Sequence, residues 1–146
     1  MTVVCKTVLF LCSGNYYRSR FAEYYFQHRA IQSRIPWKAQ SRGLQIPGGL
    51  EGPLSQYTRE ECERLEILPQ EPREPLPLTA EDLEQADLII AVKETEHRHM
   101  VKDQFPEWSD KIEYWEVHDL DIERDAHQTL SHLKRLVDEL ITRLQS

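Results

Sequence analysis

The run Lys6-Thr7-Val8-Leu9-Phe10-Leu11-Cys12-Ser13-Gly14-Asn15-Tyr16-Tyr17-Arg18-Ser19 passes from an apolar, β-branched segment into a polar loop within a single residue. Lys6 to Cys12 suits a strand buried on both faces, because its apolar side chains are nearly continuous. Ser13-Gly14-Asn15 breaks that strand. From Arg18 to Ala30 the residues favour a helix, with Phe21, Ala22, Tyr25 and Phe26 on one face. A strand leading through a short loop into a helix is the opening unit of an α/β sheet.

Working outward, Trp37 to Ser41 predicts a second strand, Gly43 to Pro53 a loop, and Ser55 to Leu65 a short polar helix. Leu68 to Leu78 holds Pro69, Pro72, Pro75 and Pro77, which bars it from helix. Thr79 with Asp82 three positions on predicts a capped helix start. Ala86 to Val92 predicts a strand, Glu94 to Asp103 a helix, Ile112 to Val117 a strand, and His118 to Asp125 an acidic loop. The last helix runs over Ala126 to Leu144, with Leu130, Leu133, Val137, Leu140, Ile141 and Leu144 as its apolar stripe. The expected fold is a three-layer α/β domain over residues 1–146: a four-stranded parallel sheet with helices on both faces. Ligands of such sheets bind beyond the carboxyl ends of the strands, where Cys12 and the loop after Val117 both fall.

Five residues separate Cys12 from Arg18. A loop of that length can wrap once around a tetrahedral dianion such as phosphate, turning backbone N–H groups inward, and the helix N-terminus adds positive potential. Gly14 is expected to allow a backbone shape that other residues resist, and Asn15 to tolerate left-handed geometry. Arg18 can grip two oxygens bidentately. The same field favours the thiolate of Cys12, and Ser19 is placed to donate a hydrogen bond to that sulfur. In-line attack by Cys12, a thiophosphate intermediate and hydrolysis follow from that arrangement. Ser13, Gly14, Asn15, Tyr16, Tyr17 and Ser19 complete the expected phosphate-binding loop.

The bulk composition bounds the possibilities. The 146 residues suit one domain, and 40% hydrophobic with 29% charged residues can bury a core. No apolar run approaches a membrane span, and Val8 to Cys12 is too short for a signal-peptide core, so a cytoplasmic protein is expected. A net charge of −7 argues against a nucleic-acid partner. Three sparse cysteines, Cys5, Cys12 and Cys62, read as reduced thiols. Cys62, among Glu60, Glu61 and Glu63, is expected to be inert, because neighbouring carboxylates raise a thiol pKa. His97 and His99 read as solvated helix residues, so no metal and no cofactor are expected. Trp108 and Trp115 read as packing residues.

Val8 to Arg20 resembles the low-molecular-weight protein tyrosine phosphatase family, whose apolar strand leads into Cys-x-Gly-Asn-x-Cys-Arg-Ser-Pro. The chain matches at Cys12, Gly14, Asn15, Arg18 and Ser19, and Phe21-Ala22-Glu23 fits the helix start. Ser41-Arg42-Gly43 resembles the family's Ser-Ala-Gly step, which implies that Ser41 supports the loop. Ala86 to Ile90 resembles the third strand. The resemblance implies a phosphomonoester hydrolase acting on a phosphorylated protein or a small phosphomonoester. Tyr17 replaces the second loop cysteine, Arg20 replaces the proline, and Arg73 stands near a histidine that braces the loop in relatives.

The resemblance also implies a general acid from an Asp-Pro pair late in the chain. Asp119 occupies that place, with Leu120 for the proline and Asp121 in reserve. The tyrosines that relatives place after Asp-Pro are missing; Tyr16 and Tyr17 either pack the loop or wall the pocket. Two alternatives remain. One is a phosphate-binding module without turnover; the other is an arsenate reductase-type oxidoreductase, which needs further cysteines that the segment after Val92 lacks.

Overall fold

A computed structural model of the chain describes residues 4–118 and 126–145. Four parallel strands form one sheet: β1 (Lys6–Cys12), β2 (Trp37–Gly43), β3 (Leu88–Ala91) and β4 (Glu113–Tyr114), in the order β2-β1-β3-β4. The helices are α1 (Arg18–Gln32), α2 (Gln56–Arg64), α3 (Ala80–Gln85), α4 (Glu94–Gln104) and α5 (Ala126–Leu144).

β1 is the inner strand on which the topology turns. It pairs with β2 from Lys6↔Trp37 to Cys12↔Gly43, and with β3 from Val8↔Leu88 to Leu11↔Ala91. Its alternation of faces divides the core. Val8, Phe10 and Cys12 join Phe21, Phe26, Leu133 and Val137 beneath α1 and α5. Leu9 and Leu11 join Leu83, Ile89 and Val101 beneath α3 and α4. Burial on both faces explains why β1 reads as an unbroken apolar run. Because the chain leaves β1 for β2 on one side and later for β3 on the other, a crevice opens at its carboxyl end.

The elements follow local chemistry closely. Ser55 caps α2 by accepting the Tyr57 N–H, and Thr79 and Asp82 form a full capping box at α3. The proline segment is extended, and Leu76 and Leu78 bond to the two sides of Gly43 as a partial fifth strand. Leu130, Leu133, Val137, Leu140 and Ile141 of α5 are buried as their spacing predicts. β4 is shorter than Ile112 to Val117. Beyond Tyr114 the chain still bonds the end of β3, through Trp115 N–H to Ala91 O and Val117 N–H to Val92 O. The connection therefore continues as single bonds, with only a bridge between Lys93 and Glu116.

Candidate active site

Cys12 ends β1 and is 2% exposed, with its Sγ 2.9 Å from Ser19 Oγ on the first turn of α1. Asn15 Nδ2 donates to the same Ser19 oxygen at 2.9 Å, which leaves the Ser19 hydroxyl hydrogen for the sulfur. Asn15 is the loop residue with left-handed backbone, at φ 51°. Gly14 is not: its φ is unexceptional, and an added Cβ would meet only ordinary contacts at 3.6 and 3.7 Å. The glycine that sterics demand lies across the sheet. A Cβ on Gly43 would sit 2.9 Å from the Ser13 carbonyl oxygen and 3.1 Å from Asn15 Cβ.

Asn15 is fully buried and bonded on every side. Its Nδ2 also donates to Ser41 Oγ, while its Oδ1 accepts from Arg73 Nη1 and the Leu76 N–H, each at 3.0 Å. Arg73 reaches Ser41 and Glu23 as well, and Ser41 donates to Glu23 at 2.5 Å. Burial lowers the Arg73 pKa, with Glu23 opposing, yet a guanidinium stays charged. Arg20, at the expected proline position, is fully buried below the loop. It donates to the backbone oxygens of Asn15, Pro53 and Arg73 and to Tyr24 Oη. Two guanidiniums thus brace Asn15, one through its carbonyl and one through its side chain.

Arg18 is 2% exposed and reaches away from its own helix. Nη1 donates to Val117 O at 2.9 Å and Nη2 to Glu96 Oε2 at 2.8 Å. That Glu96 oxygen also accepts from Ser13 Oγ at 2.9 Å and lies 2.7 Å from His97 Nε2. The hydrogen bond from His97, then that from Arg18, hold the Glu96 carboxyl well below the usual range despite partial burial. His97 is fully buried, not solvated, because it faces the sheet from α4; burial pushes its pKa down. Its Nδ1 accepts the Lys93 N–H, so the ring proton is on Nε2. His99 is exposed. Among the described residues no group of three His, Cys, Asp or Glu could hold a metal ion.

Beside the loop lies a cleft of about 700 Å³ lined by Cys12, Ser13, Gly14 and Arg18 at its floor. Its walls include Tyr16, Tyr17, Ile46, Pro47, Tyr57 and Arg59. Tyr16 is pinned by donating to Glu51 O, and the Tyr17 and Tyr57 rings lie 6.1 Å apart. Both loop tyrosines thus pack and line the cleft at once. Asp119 and Asp121 lie outside the described residues. Cys62 is buried, and burial, then the Glu61 charge, push its thiol up to about 12. The cause is chiefly the core around it, where the sequence pointed to carboxylates. Trp115 packs on Phe10 and Trp108 on the α3/α4 side of the core.

A parallel sheet whose inner strand β1 runs through a cysteine-to-arginine loop into a helix defines the α/β class, with the candidate site at the carboxyl end of β1. Over residues 7–146 the chain matches the family model described as low molecular weight phosphotyrosine protein phosphatase, and it belongs to that family. No curated protein matches. Among solved structures, a low molecular weight protein tyrosine phosphatase from T. tengcongensis is similar at 29% identity and a TM-score of 0.79, covering 94% of this chain and 99% of that one. A YwlE mutant from Bacillus subtilis is similar at 25% identity and a TM-score of 0.81, covering 97% and 99%. A thioredoxin-dependent arsenate reductase from Corynebacterium glutamicum shares the fold at 19% identity and a TM-score of 0.72, covering 99% of this chain and 64% of that one.

The residues whose place at the site sequence reasoning missed are Glu96, His97 and Arg20. Glu96 and His97 approach the loop from a helix about 80 positions away, and nothing local marks them. Arg20 carried a signal, a charge on the apolar side of a helix start, which is sustainable only with acceptors around it.

Proposed function

We propose that the chain is a cysteine-dependent phosphatase of phosphotyrosine on proteins, working in the cytoplasm, where its reduced thiols suit the chemistry. The observation that carries this reading is the 2.9 Å approach of Ser19 Oγ to Cys12 Sγ in a loop that ends on Arg18. The loop N–H groups, the N-terminus of α1 and Arg18 take the phosphoryl oxygens. The N-cap residue Tyr17 makes no side-chain cap hydrogen bond to α1, an arrangement that suits an anion at that helix end. The Cys12 sulfur attacks phosphorus as the bond to the leaving oxygen breaks, and Asp119 gives that oxygen its proton. Water then attacks the cysteinyl phosphate, returning its proton to Asp119, and the Ser19 hydroxyl stabilises the departing sulfur. Tyr16, Tyr57 and Ile46 suit an aromatic leaving group, because flat apolar walls favour a ring over a charged chain. A disulfide relay of the arsenate reductase kind lacks support: Cys62 is protonated at neutral pH and Cys5 is exposed ahead of β1.

The test is a panel of phosphomonoesters (aryl phosphate, phosphotyrosine peptide and small metabolites) with phosphoarginine, a phosphoramidate, beside them. Cys12→Ser is expected to abolish hydrolysis while retaining the preferred substrate. Asp119→Asn is expected to slow a poor leaving group about 10²-fold or more and an activated aryl phosphate much less. Phosphate binding with no turnover by the wild-type chain would instead make it a binding module, and equal loss for both leaving groups would remove Asp119 from the role.

A further inference from the structure

We infer that Glu96 is the positioning residue of the phosphate clamp, an inference that rests on the phosphate-loop reading above. One carboxylate oxygen joins both ends of the Cys12–Arg18 loop. Glu96 Oε2 accepts from Ser13 Oγ, the first residue after the nucleophile, and from Nη2 of Arg18, the first residue of α1. The carboxylate is itself held. Lys93 N–H donates to His97 Nδ1 at 3.1 Å, and the Nε2–H of that neutral, fully buried ring points at Glu96 Oε2 at 2.7 Å. A line of hydrogen bonds therefore runs from the first turn of α4 through His97 and Glu96 to the guanidinium.

Arginine is long and rich in rotamers, so an unanchored Arg18 would lose that freedom each time an anion bound. Glu96 and Val117 O fix its two Nη nitrogens from α4 and from the segment after β4. A planar guanidinium pinned at both Nη atoms has a fixed plane, and bidentate recognition of phosphate depends on that plane. Glu96 also carries a negative charge close to where a dianion is to bind, which opposes binding. The two effects have opposite signs, so mutation decides between them. If positioning dominates, removing the whole side chain weakens anion binding. If repulsion dominates, removing it strengthens binding.

The measurement is calorimetric titration of inorganic phosphate into the full chain carrying Cys12→Ser, with and without a change at Glu96, so that no turnover is needed. Glu96→Ala is expected to weaken phosphate binding about tenfold or more. Glu96→Gln, which keeps an acceptor oxygen for Arg18 and drops the charge, is expected to bind clearly better than Glu96→Ala. In the chain with Cys12 intact, KM for an aryl phosphate is expected to follow the same order. His97→Leu keeps an apolar side chain in the core and removes the donor; it is expected to weaken binding in the same direction by less.

Tighter phosphate binding in both Glu96 variants would overturn the inference, since the carboxylate would then be only a competing anion. Unchanged affinity with lowered thermal stability would also overturn it, by making Glu96 a helix-packing residue. A failed phosphatase reading looks different: the wild-type chain would bind phosphate with the same Glu96 dependence and hydrolyse nothing. No phosphate binding by the Cys12→Ser chain would overturn both.

Discussion

Asn15 shows how much one residue can be asked to do. It takes the left-handed backbone of the loop, and its side chain spends both donors and two acceptor sites on Ser19, Ser41, Arg73 and Leu76. Asn15→Ala leaves four partners short, the buried Ser19 and Ser41 among them, and puts a Cβ-bearing residue without a polar side chain at positive φ. We expect a loss of roughly 3 kcal/mol in stability and a fall of about 10² in kcat/KM. Asn15→Gly removes the same bonds but relieves the backbone, so it should be about 1 kcal/mol more stable than the alanine variant in urea unfolding. Equal stability of the two would mean that the φ value carries no cost. The sequence marks this residue well, because Asn at a strand-to-helix loop has few other reasons to be there. It marks Cys12, Arg18 and Ser19 for the same local reason. It is silent on Glu96, whose role depends on the position of α4, and it misleads on His97, since two histidines two apart on a helix look solvated unless the helix face is known.

At the scale of elements, the sequence is most legible where a single local rule acts. The unbroken apolar run of β1, the Thr79 capping box and the stripe of α5 all appear where periodicity and caps place them. It is least legible where one element is finished by another. The proline-rich segment 68–78 has no pattern of its own, yet it delivers Arg73 to Asn15 and bonds Leu76 and Leu78 to Gly43. Gly43 matters because β2 and the Cys12–Arg18 loop meet there, where Leu44 N–H and Gln45 N–H bond the carbonyls of Cys12 and Ser13. Gly43→Ala would set a methyl 2.9 Å from the Ser13 carbonyl oxygen and 2.7 Å from Ile46 Cγ1. The isoleucine can turn aside, but the carbonyl is part of the loop. We expect about 1–3 kcal/mol of destabilisation by thermal melting and a fall in kcat/KM of about tenfold or more. Wild-type activity with a lowered melting temperature would show that β2 absorbs the strain and the loop does not.

For the whole molecule, the site depends on layers that must stay registered, and the α1/α2/α5 layer is fastened by ion pairs as well as by its core. Arg29 and Tyr25 of α1 meet Asp138 of α5, and Glu61 of α2 meets Lys134 of α5. Glu61 is the member with a pH consequence. Hydrogen bonds from Arg64, then from Lys134, lower its pKa to about 2 against the burial that would raise it. Arg64 is mostly in solvent, so its bond is screened, and the less exposed Lys134 has the greater effect on stability. A carboxylate whose folded pKa is depressed stabilises the fold above its unfolded value of 4.5, and that stabilisation is lost as pH falls toward 2. The wild-type chain is therefore expected to exceed Glu61→Gln in stability by about 1–2 kcal/mol at pH 7. The gap should shrink progressively as urea unfolding is repeated at lower pH from about 4.5 down to about 2, because the protonated acid and the amide then differ little. Other carboxylates titrate in both chains and cancel in the comparison. A gap that is the same at every pH would mean that Glu61 contributes through packing against Cys62 and α5, with its charge immaterial to the layer.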